Sequence, residues 1–173
     1  MSATSTAASR AAKLRVAFDQ TFAAPIRLDG KSREQLLAVR VAGQALAIRL
    51  SEISGLHVDK KVTPVPGGDA ALRGVAGFRG AIVPVYDLRT ILGHPGGERP
   101  RWLVIAAASP VALAFDGFDG QLRVPHDAIV PQAAGPEVRG YAREFVGSRK
   151  FVGPLIHLPS VLEAIDRGAR RKQ

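Results

Sequence analysis

The sequence predicts a mainly β protein that consists of two tandem small barrels and a few short helices. Short apolar runs separated by turn residues follow one another over residues 36–157. This spacing is typical of small barrels or of a sandwich, and not of parallel βαβ units. Only two stretches have the pattern of helices. A β-rich unit of roughly 65 to 70 residues occurs twice, which favours two similar barrels packed together.

Ten runs are strand candidates, several of them joined in pairs by two turn residues. In QALAIRL, apolar Leu46, Ile48 and Leu50 alternate with smaller or polar residues, which is the period of a half-buried strand. TPVPGG (63–68) has the proline and glycine density of a loop. In chain order the candidates are LLAVRV (36–41), QALAIRL (44–50), LHVDKKV (56–62), GVAGF (74–78), AIVPV (81–85), WLVIAAA (102–108), VALAFD (111–116), QLRVP (121–125), REFVG (143–147) and FVGPLIH (151–157).

Two short segments are predicted to be helical. DLRTIL (87–92) begins with Asp87, whose carboxylate can accept hydrogen bonds from the free N–H groups of the first turn, and it stops at Gly93. SVLEAIDRGA (160–169) carries Ser160 and Glu163 at the spacing of a capping box.

The repeat is visible at two offsets. At an offset of 70, VAGFR (75–79) lies on FVGSR (145–149), and VYDLRTIL (85–92) lies on LIHLPSVL (155–162). At an offset of 65, LAIRLSEISG (46–55) lies on VALAFDGFDG (111–120). We therefore divide a domain over residues 35–166 into a first unit at about 35–95 and a second at about 100–166.

The formal net charge of +9 lies mostly in the two termini. Residues 1–35 carry six Lys/Arg against three acids, and the basic tail 167–173 carries four against none, so residues 36–166 hold only +2. This body lacks the interleaved cations and aromatics of a nucleic-acid face, and we expect no nucleic-acid partner. A basic-tailed nucleic-acid-binding β-barrel protein remains the alternative. No apolar run approaches the roughly 18 residues of a membrane span, so we expect no direct membrane insertion.

The N-terminal extension, residues 1–34, is expected to be partly disordered or to form a short docked helix. Leu14, Phe18 and Phe22 recur every four positions and would form one apolar stripe, until Pro25 interrupts the helix.

An enzyme is the less favoured interpretation of the sequence. The chain has no cysteine, which excludes disulfides and thiolate catalysis. His126 and Asp127, together with His57, His94 and His157, could form the site of a metal-dependent hydrolase, but the chain contains no catalytic or phosphate-loop motif. We therefore predict a protein without catalytic residues, metal or cofactor.

One stretch carries a more specific pattern. GFRG (77–80) precedes the proline-containing strand AIVPVY, then Asp87-Leu88-Arg89 and the helix end Leu92-Gly93. DGFDGQLRVPHDAIVP (116–131) supplies a second match. Both segments resemble the CheW family of bacterial chemotaxis coupling proteins, and the resemblance covers about residues 36–165. The chain departs from the family at Gly77, where asparagine is usual, and at Gln121, where an apolar residue is usual.

The resemblance implies two five-stranded SH3-like barrels and a non-enzymatic adaptor. Such an adaptor links the cytoplasmic tip of a methyl-accepting chemoreceptor to the regulatory domain of a CheA-type histidine kinase. It would be cytoplasmic and recruited to membrane-associated receptor arrays. The family's partner-binding positions fall on Ile53, Gly74, Arg79, Phe118 and Gln121.

Several of these positions also have a structural interpretation. Ile53 is equally compatible with the core, and Gly74 with a turn of the backbone at positive φ. Arg79 lies in a two-residue hairpin connection, where Gly80 is expected to supply the unusual dihedral angles. Pro84 cannot donate a ladder hydrogen bond and so predicts a strand edge or a bulge.

Overall fold

The computed structural model describes residues 32–66, 69–97, 100–131 and 140–170. That part of the chain forms eleven strands, two α-helices and two 3₁₀ turns, at Leu50–Glu52 and His126–Ala128. The hypothetical apolar stripe of Leu14, Phe18 and Phe22 lies outside the described residues. The strands and helices are β1 (Arg33–Val41), β2 (Gln44–Arg49), β3 (Ile53–Val58), β4 (Leu72–Phe78), β5 (Ala81–Asp87), α1 (Leu88–Ile91), β6 (Trp102–Ala106), β7 (Ala112–Phe115), β8 (Gly117–Pro125), β9 (Ile129–Pro131), β10 (Ala142–Gly147), β11 (Val152–Ile156) and α2 (Leu158–Arg170).

The strands form two sheets, which confirms the prediction of a mainly β protein with few helices. The five strands of barrel I have the order β3-β6-β7-β5-β4, and the six strands of barrel II have the order β8-β1-β2-β11-β10-β9. Barrel II therefore has one strand more than the expected five, the three-residue β9, which pairs with β10.

Each barrel contains strands from both sequence copies. Barrel I combines β3, β4 and β5 of the first copy with the hairpin β6–β7 of the second copy. Barrel II combines the hairpin β1–β2 of the first copy with β8, β9, β10 and β11 of the second copy. The parallel pairs that join the copies correspond. Val85 pairs with Ala112 in barrel I, and Leu155 pairs with Ala47 in barrel II. Val85 corresponds to Leu155 at the sequence offset of 70, and Ala47 corresponds to Ala112 at the offset of 65. The copies are thus exchanged between the barrels through their N-terminal hairpins.

The exchanged hairpins are buried on both faces. Along β1, Leu36 and Ala38 face the interior of barrel II, whereas Leu37 and Val39 belong to a central cluster between the barrels. Because both faces are covered, the strand shows an unbroken apolar run instead of strict alternation. The central cluster also takes residues from β2, β6, β7 and both helices, including Leu46, Ile48, Leu88, Val104, Leu113, Phe115 and Leu158.

Several predicted element boundaries are wrong: β8 begins at Gly117 and not at Gln121, and β1 begins at Arg33 and not at Leu36. The strand expected at 56–62 occupies Ile53–Val58 instead. It ends where Asp59 takes a positive φ of 52° and its carboxylate accepts two hydrogen bonds from Arg101. The second helix begins at Leu158 and not at Ser160. The Ser160 N–H donates to the carbonyl oxygen and Nδ1 of His157, so His157 caps this helix and the expected capping box is not formed.

Candidate partner-binding surface

The hairpin tip between β4 and β5 is formed by Arg79 and Gly80. Their φ angles are 47° and 85°, so both residues, and not Gly80 alone, adopt the left-handed conformation that a type I′ turn requires. Phe78 and Ala81 pair directly behind the turn, and Phe78 is anchored in the core of barrel I. The tip is therefore rigidly held, and it presents the exposed guanidinium of Arg79 to solvent.

Pro84 lies in a part of β5 that has a sheet neighbour on one side only. Residues 81–84 of β5 pair with β4, and pairing with β7 starts only at Val85. The missing N–H of Pro84 therefore leaves no β7 ladder bond unmade. Because residues 81–84 have no neighbour on the other side, this part of β5 is an open strand edge beside the tip.

Ile82 is the most exposed large apolar residue in the described part of the chain, with 78% of its surface accessible. Its cross-strand partner is Gly77, which has no side chain to cover it. The equivalent residue in the second copy, Val152, is 66% exposed. Each of these side chains lies on its hairpin next to the turn, where another protein could cover it.

An open cleft lies next to Arg79. We call it the apolar cleft, because most of the surface that lines it is apolar. The ring of His57 lies 4.8 Å from that of Phe78, and Lys60 Nζ lies 5.2 Å from the centre of the Phe78 ring. The main lining residues are Leu56, His57, Phe78, Arg79, Val83 and Ile105.

The charge around the apolar cleft is positive. The Asp59 carboxylate near it accepts hydrogen bonds from Arg101, which lowers the pKa of Asp59. Within the described residues, neither Lys60 nor Arg79 forms an ion pair. The cleft is therefore suited to a partner that offers an apolar side chain together with a carboxylate or carbonyl oxygens.

Ile53 and Phe118 occupy equivalent places in the two copies. Each lies at a register shift near the start of its strand, β3 or β8, and each is half-buried against the central cluster. The ring of Phe118 also packs against Trp102, with centroids 5.1 Å apart. The side chains of both residues therefore have a packing role, and only their exposed fractions are available to a partner.

Gly74 is buried in barrel I. Its φ is 140°, and a Cβ at this position would meet the Thr63 carbonyl oxygen. Thr63 and Val75 exchange backbone hydrogen bonds of 2.8 and 2.9 Å directly beside it. The structure therefore gives Gly74 a backbone role, while its role as a partner contact stays a prediction.

Gln121 lies on β8 of barrel II. Its side-chain amide donates a hydrogen bond of 2.8 Å to Gln35 Oε1 on the neighbouring strand β1. It lines a second cleft, together with Arg33, Arg123 and residues 148–150. In the sequence repeat, Arg149 of this second cleft corresponds to Arg79.

Asp87 is buried and has a structural role. Its Oδ1 accepts a hydrogen bond of 3.0 Å from the Arg89 N–H in the first turn of α1, and its Oδ2 lies 2.8 Å from Arg73 Nη1. Arg89 in turn binds the Asp116 carboxylate at 2.7 Å. This network attaches α1 to barrel I.

The proposed contact residues do not form one site. Arg79 lies at the apolar cleft, Gln121 at the second cleft, Ile53 and Phe118 on the central cluster, and Gly74 in the barrel wall. Sequence reasoning missed Ile82, although its alternation with Val83 along the strand could have indicated that it lies on the other face. It also missed the second cleft, which the alignment of Arg79 with Arg149 could have indicated.

The histidines and carboxylates do not converge on a metal site in the described part of the chain, where no group of three potential ligands is found. His157 caps α2, His57 packs on Phe78, and His126 lies 3.6 Å from the Glu34 carboxylate.

Comparison with known proteins identifies the family. The family model described as a CheW-like domain matches residues 35–165. The chain belongs to the CheW family. CheW proteins are adaptors and not enzymes, so the prediction of a non-enzymatic chemotaxis adaptor is confirmed at the level of the family.

Individual CheW proteins give the same result. The chain is 28% identical to the chemotaxis protein CheW of Rhizobium meliloti over 141 residues, which span 78% of this chain and 91% of that protein. It is 29% identical to the CheW of Thermotoga maritima over 104 residues, 58% of this chain and 69% of the relative. A crystal structure of the scaffolding protein CheW from Thermoanaerobacter tengcongensis superimposes with a TM-score of 0.69 at 15% identity, covering 76% of this chain and 94% of that one. This last likeness supports the fold. In the described residues, no helix is long and apolar enough to cross a membrane.

Proposed function

We propose that this CheW-family chain couples the cytoplasmic tips of chemoreceptors to the regulatory domain of a CheA-type histidine kinase. It acts in the cytoplasm, at membrane-associated receptor arrays. The observation that carries the proposal is the hairpin tip of barrel I, where Arg79 lines the apolar cleft and the exposed side chain of Ile82 lies close by on β5. An apolar anchor beside a planar cation is the kind of pair that dominates the energy of protein–protein contacts.

The rigid turn supports a contact role for Arg79. Both turn residues have fixed left-handed dihedral angles, so binding does not have to order the backbone. A hydrogen bond from Arg79 to a partner carboxylate would be charge-assisted, and such bonds are typically worth about 1.5 to 3 kcal/mol. Covering Ile82 would add the transfer of an apolar side chain from water.

The experiment is a titration of the full chain against the kinase regulatory domain and, separately, against a receptor cytoplasmic fragment, both from the same organism. Arg79→Ala and Ile82→Ser should each weaken binding to at least one of these partners by about tenfold. Val152→Ser is the matched control for Ile82→Ser, because Val152 has the equivalent place on barrel II. Unchanged affinity of Arg79→Ala and Ile82→Ser for both partners would refute this assignment.

A further inference from the structure

The second cleft is the counterpart of the apolar cleft on barrel II. Each cleft lies between the third strand of one copy, β3 or β8, and the turn that joins the last two strands, and each turn carries an arginine, Arg79 or Arg149. The residues that line the two clefts differ in chemistry, and the second cleft is lined mainly by cations. We call the second one the basic cleft, because it is lined by Arg33, Arg123, Arg149 and Lys150, with Gln121 and Ser148 as polar neighbours.

The cations of the basic cleft are held by well-packed elements. On β8, Leu122 and Val124 pack into barrel II, which leaves Arg123 on the exposed face of the strand. The turn at residues 148–151 is closed by hydrogen bonds of 2.9 Å from Ser148 N–H to the Phe151 carbonyl and of 3.1 Å from Phe151 N–H to Ser148 Oγ. Phe151 is buried in the barrel core. Arg149 and Lys150 are therefore presented on an anchored turn.

Most other arginines in the described part of the chain are neutralised. Arg40, Arg49, Arg73, Arg89 and Arg101 each form an ion pair with a carboxylate. By contrast, none of the four cations of the basic cleft forms an ion pair within residues 32–66, 69–97, 100–131 and 140–170. Glu34, the acid next to Arg33 in the chain, lies 3.9 Å from Arg49 and 3.6 Å from His126. Within the described residues, the positive charge at this cleft is therefore not neutralised, which favours the binding of an anion.

We propose that the basic cleft binds an acidic, extended segment of another protein, and that its carboxylates lie between Arg123 and the 149–150 turn. The spread of exposed cations fits several carboxylates along a chain better than one compact anion, because no buried donors converge on a single point. A second copy of this chain is a poor occupant, because residues 1–35 and 167–173 are both net basic. Single-stranded nucleic acid is also disfavoured, since no aromatic side chain among the described residues lines the cleft for base stacking.

The test uses the full chain and a short fluorescent peptide of alternating glutamate and alanine, with the glutamine–alanine peptide as the uncharged control. The double variant Arg123→Gln/Arg149→Gln should bind the acidic peptide at least about threefold more weakly than the wild type. Lys61→Gln/Arg143→Gln is the matched control. It removes the same charge from two exposed positions that do not line the cleft, and it should bind like the wild type. Thermal melts of both double variants establish that they are folded.

Three results would overturn the proposal. Equal loss of affinity in the two double variants would mean that the peptide responds only to net charge. Amide NMR shifts that the peptide causes only in residues 1–31 and 167–173 would place binding on the basic termini. Tighter binding of a thymidine oligonucleotide than of the acidic peptide, with the same dependence on Arg123 and Arg149, would make the cleft a nucleic-acid site. Shift changes at 121–124 and 148–150 would support the proposal. Since Arg79 and Ile82 lie on the hairpin of barrel I and neither lines the basic cleft, the two binding hypotheses can fail independently.

Discussion

Asp87 and His157 occupy the same position in the two copies and perform the same structural task with different chemistry. The N–H of each donates to the carbonyl of the residue just before the second-last strand of its copy, Asp87 to Ala71 at 2.7 Å and His157 to Tyr141 at 2.8 Å. The side chain of each then accepts a hydrogen bond from the first turn of the helix that follows. A carboxylate and an imidazole nitrogen can both satisfy a free helix N–H.

Asp87→Ala should lower the free energy of unfolding by about 2 kcal/mol. It removes the cap of α1, and it also leaves the partly buried guanidinium of Arg73 without its carboxylate. Asp87→Asn keeps a hydrogen-bond acceptor for the helix N-terminus and should lower the free energy of unfolding by about half as much. Urea denaturation monitored by circular dichroism measures both changes. Equal stability of Asp87→Ala and the wild type would show that the cap and the ion pair contribute nothing.

Gly74→Ala should destabilise the protein by more than about 3 kcal/mol, because its Cβ would overlap the Thr63 carbonyl at a φ of 140°. Gly120 provides a matched control. It has the same φ of 140°, but a Cβ there meets nothing within 4 Å. Gly120→Ala should therefore cost only the backbone strain, about 1 to 2 kcal/mol. If the two variants unfold at the same urea concentration, steric exclusion by Thr63 is not the reason for glycine at position 74.

At the hairpin tip, removing the Arg79 side chain and straining the backbone at Gly80 should have different effects on stability. Arg79→Ala should change the free energy of unfolding by no more than about 0.5 kcal/mol, since its guanidinium is exposed. Gly80→Val should cost about 1 to 3 kcal/mol and lower the Tm, because a β-branched residue is strained at a φ of 85° even though space is free. A melt of Gly80→Val that coincides with the wild type would show that the turn tolerates another geometry.

The Tyr86 phenol should ionise at higher pH than an ordinary tyrosine. Burial, with additional effects from the Asp69 and Asp166 charges, raises the pKa of Tyr86 in the folded protein. The stability gained from the neutral phenol is therefore fully present below the unfolded pKa of about 10, and is lost as the pH rises through the higher folded value.

The chain has only two tyrosines, so Tyr141→Phe allows Tyr86 to be followed alone by phenolate absorbance. The titration midpoint of Tyr86 should lie above that of N-acetyltyrosinamide, and Asp69→Asn should move the Tyr86 midpoint back towards that of the free amide. Circular dichroism at each pH establishes that the fold persists. A midpoint at or below that of the free amide in folded protein would contradict the environment described for Tyr86.

Local sequence patterns were sufficient to predict most of the individual strands and helices. The apolar runs and turn residues identified ten of the eleven strands, because a hairpin such as that around Arg79 and Gly80 is encoded by neighbouring residues. The exception, β9, has only three residues, too few to show a period. Asp87 was likewise identified as a helix cap from its place between strand and helix.

The sequence by itself determined the β class, the repeat, both helices and the family, since these depend on local spacing and on motifs such as the one from Gly77 to Gly93. Only the tertiary structure decided how strands from different hairpins pair, because the parallel pairs Val85–Ala112 and Leu155–Ala47 join residues far apart in the chain. Tertiary structure likewise decided that Ile53 and Phe118 are half-buried while Ile82 is exposed, and that Arg33, Arg123 and Arg149 meet at one cleft. Burial and convergence of charge depend on which surfaces the other elements cover, and residue type alone does not specify that.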